Sequence, residues 1–228
     1  MVDEPYVLAL REMLFLEKSG RETDSVECMQ RGKKTWLQFS SRIFYEDGRP
    51  TDQIIVVQNI TKQKTQNEEL LYMAYYDSLT GLYNRNYFVR LLTEFLRRAK
   101  EDNRLVSVLV IDIDDFKNVN DSRGHAFGDT VLCELTANLE RSFRSSDLLG
   151  RIGGDEFAVL MCDITSMENA LVKAGQICSL YTKGAAKEGL KISCSIGMVF
   201  CESDDGAAFD DLYQKADSAL YKAREKEK

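Results

Sequence analysis

Two apolar runs, one ending at Leu149 and one running Phe157-Ala158-Val159-Leu160-Met161, flank the string Arg151-Ile152-Gly153-Gly154-Asp155-Glu156. This predicts two short strands joined by a Gly-Gly turn. Glycines at such a tip let the backbone approach a ligand, and the acids that follow can hold a metal ion. The string alone also describes a solvated hairpin turn, so its meaning depends on a second acidic cluster upstream. Leu105 to Ile113 is a dense Val/Leu/Ile run, short enough for a central strand buried on both faces, and it ends in Asp112-Ile113-Asp114-Asp115-Phe116-Lys117. In a strand Asp112 and Asp114 point to one face and Asp115 to the other, so all three serve one site only if the strand ends there. A carboxylate at the end of a buried strand, close to one on an adjacent hairpin, suits Mg²⁺ and phosphate chemistry. The alternative is a set of solvated acids at a strand end.

The rest of the chain supplies a frame for those two clusters. Val7 to Leu16 reads as a helix stopped near Gly20. Ser25–Cys28, Lys34–Ile43 and Gln53–Gln58 read as strands, the last two separated by the turn Glu46-Asp47-Gly48-Arg49-Pro50. Thr61 to Tyr76 lacks Gly and Pro and carries Leu70, Leu71, Met73 and Ala74, which fits a helical linker; its apolar stripe either pairs with a second copy or packs on its own chain. Beyond it, helix and strand alternate. Asn84 can cap a helix bearing Tyr87, Phe88, Leu91, Leu92, Phe95 and Leu96. Further helices are expected from about Gly128, over 166–183 and from Phe209 to about Lys226, with a strand at Lys191–Phe200. The order predicts an α/β fold, one sheet antiparallel at its hairpin and covered by helices.

A formal net charge of -7 argues against nucleic-acid or anionic-membrane partners, which favour concentrated Lys and Arg. A nucleotide ligand stays compatible, because a metal and a few local cations suffice. The six cysteines lack CxxC spacing and mostly fall at apolar periodic positions, which reads as reduced core thiols in a cytoplasmic compartment. No stretch approaches the roughly 20 apolar residues of a membrane span, so no membrane partner is expected within this chain.

Two resemblances sharpen this reading. Arg31 to Leu37, Tyr45 to Gly48 and Asn59 to Lys64 resemble the C-terminal half of a PAS domain, giving a partial PAS-like segment at 1–60 and a helical linker at 61–76; the first strands of that fold are missing. Asp77-Ser78-Leu79-Thr80-Gly81-Leu82-Tyr83-Asn84-Arg85, Asp112 through Asp121, Gly124-His125 with Gly128-Asp129, Arg151 through Phe157, Ser195-Ile196-Gly197, and Ala216-Asp217 with Ala219-Leu220-Tyr221 occur in the order of the GGDEF family of diguanylate cyclases. That resemblance assigns 77–228 to a GGDEF domain with a nucleotidyl-cyclase-like sheet.

The resemblance implies a homodimer in which each subunit holds one GTP and each 3′-hydroxyl attacks the α-phosphate of the other, giving cyclic di-GMP and two pyrophosphates. Carried over by position, Asp112, the Ile113 carbonyl and Asp155 would ligate Mg²⁺, with Mn²⁺ as a substitute. Asp155 would also accept the hydroxyl proton, Glu156 would support that shell, and Lys117 would offset charge on the phosphates. Gly153, Gly154, Phe116, Asn120, His125, Asp129 and Arg224 would hold the nucleotide. Asp129 suits guanine, whose N1–H and N2–H₂ edge a carboxylate accepts. Asn120 also reads as a helix cap, and His125, the only histidine, as a structural residue. Arg144 and Asp147 would form a product-inhibition site for cyclic di-GMP, or else are two surface charges in a loop. Where the family has Lys and then Gly-Arg, this chain has Arg224 and then Glu227-Lys228. The competing expectation is a catalytically weak GTP- or cyclic di-GMP-binding sensor that acts through a protein partner.

Overall fold

In the computed structural model, the described residues are 23–30, 33–102, 104–162, 164, 166–184, 192–201 and 209–226. The expected helix at 7–16 and the pair Glu227-Lys228 lie outside them. The chain divides into two units, Met1–Tyr72 and Met73–Lys228, taken in turn.

In the first unit, β1 (Thr23–Gln30), β2 (Lys33–Glu46) and β3 (Arg49–Asn59) form an antiparallel meander. Asp47 and Gly48 both take positive φ, 49° and 73°, the two-residue geometry whose twist matches its flanking strands. This is the expected Glu46–Pro50 turn. Asn59 accepts the Thr61 amide (3.0 Å), and Trp36 donates its amide to the Thr61 hydroxyl (2.8 Å), so β3 hands over to α1 (Thr61–Tyr75) beside β2. No residue of α1 is buried; Leu70 is 65% and Met73 68% exposed.

The second unit is built on a five-stranded sheet in the order β4-β6-β7-β5-β8, with β4 (Tyr83–Asn84), β5 (Val106–Ile113), β6 (Leu148–Arg151), β7 (Glu156–Met161) and β8 (Cys194–Cys201). Only the β4–β6 pair is parallel. Alternation along β5 sorts its residues to two cores. Leu109, Ile111 and Ile113 pack with Val131, Leu135 and Leu139 of α4 (His125–Ser142) and with Ile177 of α5 (Met167–Gly184). Val106, Val108 and Val110 pack with Phe88 and Leu92 of α2 (Arg85–Glu101) and with Leu212 and Leu220 of α6 (Phe209–Lys226). Both faces of β5 are covered, as its apolar run over 108–111 requires. Asn84 caps α2 by accepting the Tyr87 amide at 3.0 Å. Gly197 lets α6 reach the sheet, because a Cβ there would lie 1.9 Å from the Ala216 carbonyl oxygen.

Two elements depart from expectation. A short helix, α3 (Phe116–Arg123), precedes α4, which starts at His125 rather than near Gly128. Cys162, Cys194 and Cys201 are buried thiols, but Cys133 is exposed. No described helix is long and apolar enough to cross a membrane.

Candidate active site

Strand β5 ends at Ile113, and Asp115 adopts the left-handed conformation (φ 56°) at the start of α3. Asp is among the few residues that tolerate it. The turn resolves the question of the three acids: Asp112 and Asp114 both reach Arg224, while Asp115 is exposed. Asp114 accepts the hydroxyls of Ser193 and Ser195, each at 2.6 Å, and the Arg224 Nε at 3.4 Å. Arg224 Nη2 pairs with Asp112 Oδ1.

Antiparallel register sets Asp112 opposite Glu156, the first residue of β7, and Asp155 immediately precedes it. Burial pushes the Asp112 carboxyl up to about 6; Arg224 opposes that shift, and Asp155 and Glu156 add to it. The sheet thus gathers three acids on two adjacent strand ends, and one guanidinium stands among them. Among the described residues no three Asp, Glu, His or Cys side chains are grouped as a metal cage. Two carboxylates with a backbone carbonyl, leaving positions for phosphate oxygens and water, is the donor set that suits Mg²⁺. A half-buried carboxylate crowded by other anions, and already attracting the cation Arg224, fits that ion.

The Gly-Gly turn is held by its own neighbours. The amides of Ile152 and Gly153 both donate to the Glu156 carbonyl, at 2.9 and 3.2 Å. A Cβ on Gly153 would fall 2.5 Å from Glu156 Oε2, whereas one on Gly154 would meet nothing. Gly153 therefore makes room for Glu156, and Gly154 faces open space. Arg151 donates Nη2 and Nε to the Gly154 carbonyl (2.6 and 3.2 Å) and Nη1 to Asp77 (3.0 Å). Burial works against the Asp77 carboxylate, but hydrogen bonds from Thr80 and from Arg151 outweigh it and hold its pKa below the usual range. Tyr213 of α6 donates its hydroxyl to Glu156 Oε1 at 3.1 Å.

A second group lies on α3 and α4. Gly128 faces Asn120 and Phe116, and a Cβ on it would sit 2.0 Å from Asn120 Oδ1 and 3.2 Å from the Phe116 ring. Asn120 is thus inside α3, not a cap, and borders the turn of α4 that carries Asp129. Lys117, His125 and Asp129 are exposed. The Arg144 and Asp147 pair closes on itself: Asp147 accepts the amides of Arg144 (2.9 Å) and Cys162 (3.0 Å). The Arg144 side chain is exposed between a cleft of about 350 Å³ that includes Tyr76, Tyr83 and Phe143 and one of about 160 Å³ that includes Asn169 and Lys173.

Asp114, weighed in the sequence only as one of three strand-end acids, holds the site together with Ser193, Asp77, Arg151 and Tyr213, to which the sequence assigned no role. Asp77 and Arg151 stood inside motifs already singled out. Tyr213 looked like a core residue because it shares an apolar stripe with Leu212 and Ala216.

The candidate site is thus a set of acidic strand ends on a helix-covered, mostly antiparallel sheet. Residues 74–228 match the model of the family described as diguanylate cyclase, GGDEF domain, and the chain belongs to that GGDEF family. Diguanylate cyclase TpbB of Pseudomonas aeruginosa is 39% identical over 163 residues, 70% of this chain and 37% of that protein. The solved GGDEF domain of TpbB aligns with TM-score 0.61 and 37% identity over 67% of this chain and 90% of that one. Diguanylate cyclase DgcM of Escherichia coli is 36% identical over 171 residues, 75% of this chain and 41% of that protein. The GGDEF domain of DgcB from Caulobacter crescentus, solved in complex with c-di-GMP, aligns with TM-score 0.62 and 25% identity over 68% of this chain and 90% of that one. The chain thus spans about two fifths of the length of the full-length relatives TpbB and DgcM.

Proposed function

We propose that this chain is a diguanylate cyclase, condensing two GTP into cyclic di-GMP and two pyrophosphates across a homodimer. The observation that carries the reading is the convergence of Asp112, Asp155 and Glu156 at adjacent strand ends, in a chain of the GGDEF family. A divalent cation, Mg²⁺ or Mn²⁺, would be held by Asp112, the Ile113 carbonyl and Asp155. When bound, such an ion polarises phosphoryl oxygens and lowers the pKa of a coordinated hydroxyl. Asp155 takes the proton of the attacking 3′-hydroxyl. Lys117 and Arg224 offset phosphate charge, and Arg224 must leave Asp112 to do so. Gly153 and Gly154 offer amides to the nucleotide. Phe116, Asn120, His125 and Asp129 line the base, with Asp129 accepting the guanine edge. Cyclic di-GMP, the ligand of the DgcB domain, would return to Arg144 and Asp147 as inhibitor.

The proposed organisation is a PAS-like segment at 1–60, a helical linker at 61–76 and the GGDEF domain at 77–228, working in the cytoplasm. The uncovered stripe of α1 supports pairing of the linker with a second copy. A second reading, a GTP- or cyclic di-GMP-binding sensor, is favoured by one contact: the guanidinium of Arg224 sits on the carboxylates that would hold the metal.

The deciding experiment follows GTP conversion with Mg²⁺ beside Asp155→Ala and a parallel ATP reaction. Cyclic di-GMP from GTP alone, falling at least a hundredfold in the variant, is expected. Measurable binding of either nucleotide with no product from the wild type would establish the sensor instead.

A further inference from the structure

Glu156 stands with Asp112 and Asp155, and three anions so close repel one another. A flexible glutamate in that company would swing toward solvent unless a donor held it. The donor is on α6. Tyr213 has its ring fixed from two sides, stacked on Phe209 at 5.7 Å between centroids and covered by the Arg85 guanidinium at 5.9 Å. Phe209 is itself buried, edge-on to Phe88 at 6.4 Å. A ring held this way fixes its hydroxyl, which donates to Glu156 Oε1. With Oε1 occupied, Oε2 lies against Gly153, where a Cβ would come within 2.5 Å of it.

We propose that Tyr213 is a positioning residue of this site: its hydroxyl fixes the Glu156 rotamer, so that Oε2 is presented at the Gly153 turn. The inference rests on the reading of Asp112 and Asp155 as the cation-holding acids with Glu156 supporting them, and Tyr213 acts through Glu156 without touching substrate.

Tyr213→Phe keeps the ring, its stack on Phe209 and the Arg85 contact, and removes only the donor. The test measures Mn²⁺ affinity by electron paramagnetic resonance and steady-state kinetics with GTP, for wild type, Tyr213→Phe, Glu156→Gln and the double variant. Expected for Tyr213→Phe are a melting temperature close to wild type, Mn²⁺ affinity lowered several-fold, and kcat lowered about tenfold with KM changed less than about twofold. In the Glu156→Gln background the same change should alter Mn²⁺ affinity less than about twofold. Wild-type affinity in Tyr213→Phe, or an equal loss in both backgrounds, overturns the inference. Wild type that makes no product but binds Mn²⁺ refutes the cyclase reading, and the affinity series still decides Tyr213. Wild type that does neither overturns both.

Discussion

Asp112 is half-buried beside other carboxylates, and the effect on its proton is measurable. Its folded pKa of about 6 lies above the ordinary 3.8. Between those values the folded state holds a proton that the unfolded chain has released, so Asp112's contribution to stability is lost as pH rises from about 4 to about 6 and stays lost above. With chelator present, the melting-temperature advantage of Asp112→Asn over wild type should be small at pH 4 and grow toward pH 7. Added Mg²⁺ at pH 7 should narrow it by stabilising the wild type alone. A gap that shrinks with rising pH would contradict this account. The residue types at the site were readable from the chain, because two acidic clusters at expected strand ends fall in the order of the GGDEF motifs. Their partners were not readable: nothing in the local sequence says that Arg224 lies on Asp112, 112 positions away.

At the scale of the element, the turn 152–155 shows what holds a functional loop rigid. Arg151 ties it to the loop at Asp77, and both side chains are mostly buried, at 14% and 24% exposure. Breaking such a pair strands the remaining charge. Arg151→Ala should lower stability by about 2 kcal/mol, and a double-mutant cycle with Asp77→Ala should show coupling of about 1 kcal/mol. Cyclic di-GMP formation should fall with it, since the Gly154 carbonyl loses both donors. Urea unfolding and initial rates check the two parts; additive stability losses would mean that the ion pair does not anchor the turn. The strands and long helices were legible because each has a period that only one structure satisfies. Helix α3 was not, since Asn118, Asn120, Asp121 and Ser122 are weak helix formers and Val119 alone is buried.

At the scale of the molecule, the proposed condensation joins two GTP with one site per chain, so it would need two copies meeting about a two-fold axis. Initial rate per protein should rise with protein concentration until dimers saturate, and substitutions of Leu70 and Met73 by Glu should shift that curve to higher concentration. A specific rate flat across a hundredfold dilution, with the dimer shown to dissociate, would exclude this assembly. The chain's own chemistry already determined the class of fold, the core stripes, the acidic clusters and the turn at Asp47-Gly48, because periodicity and turn geometry act over a few residues. Tertiary structure alone decided which acids share a site, that Asp147 spends its carboxylate on backbone amides, and that Tyr213 serves Glu156. Those facts depend on strand register and on the close seat of α6 at Gly197, contacts between residues far apart in the chain that no local pattern encodes.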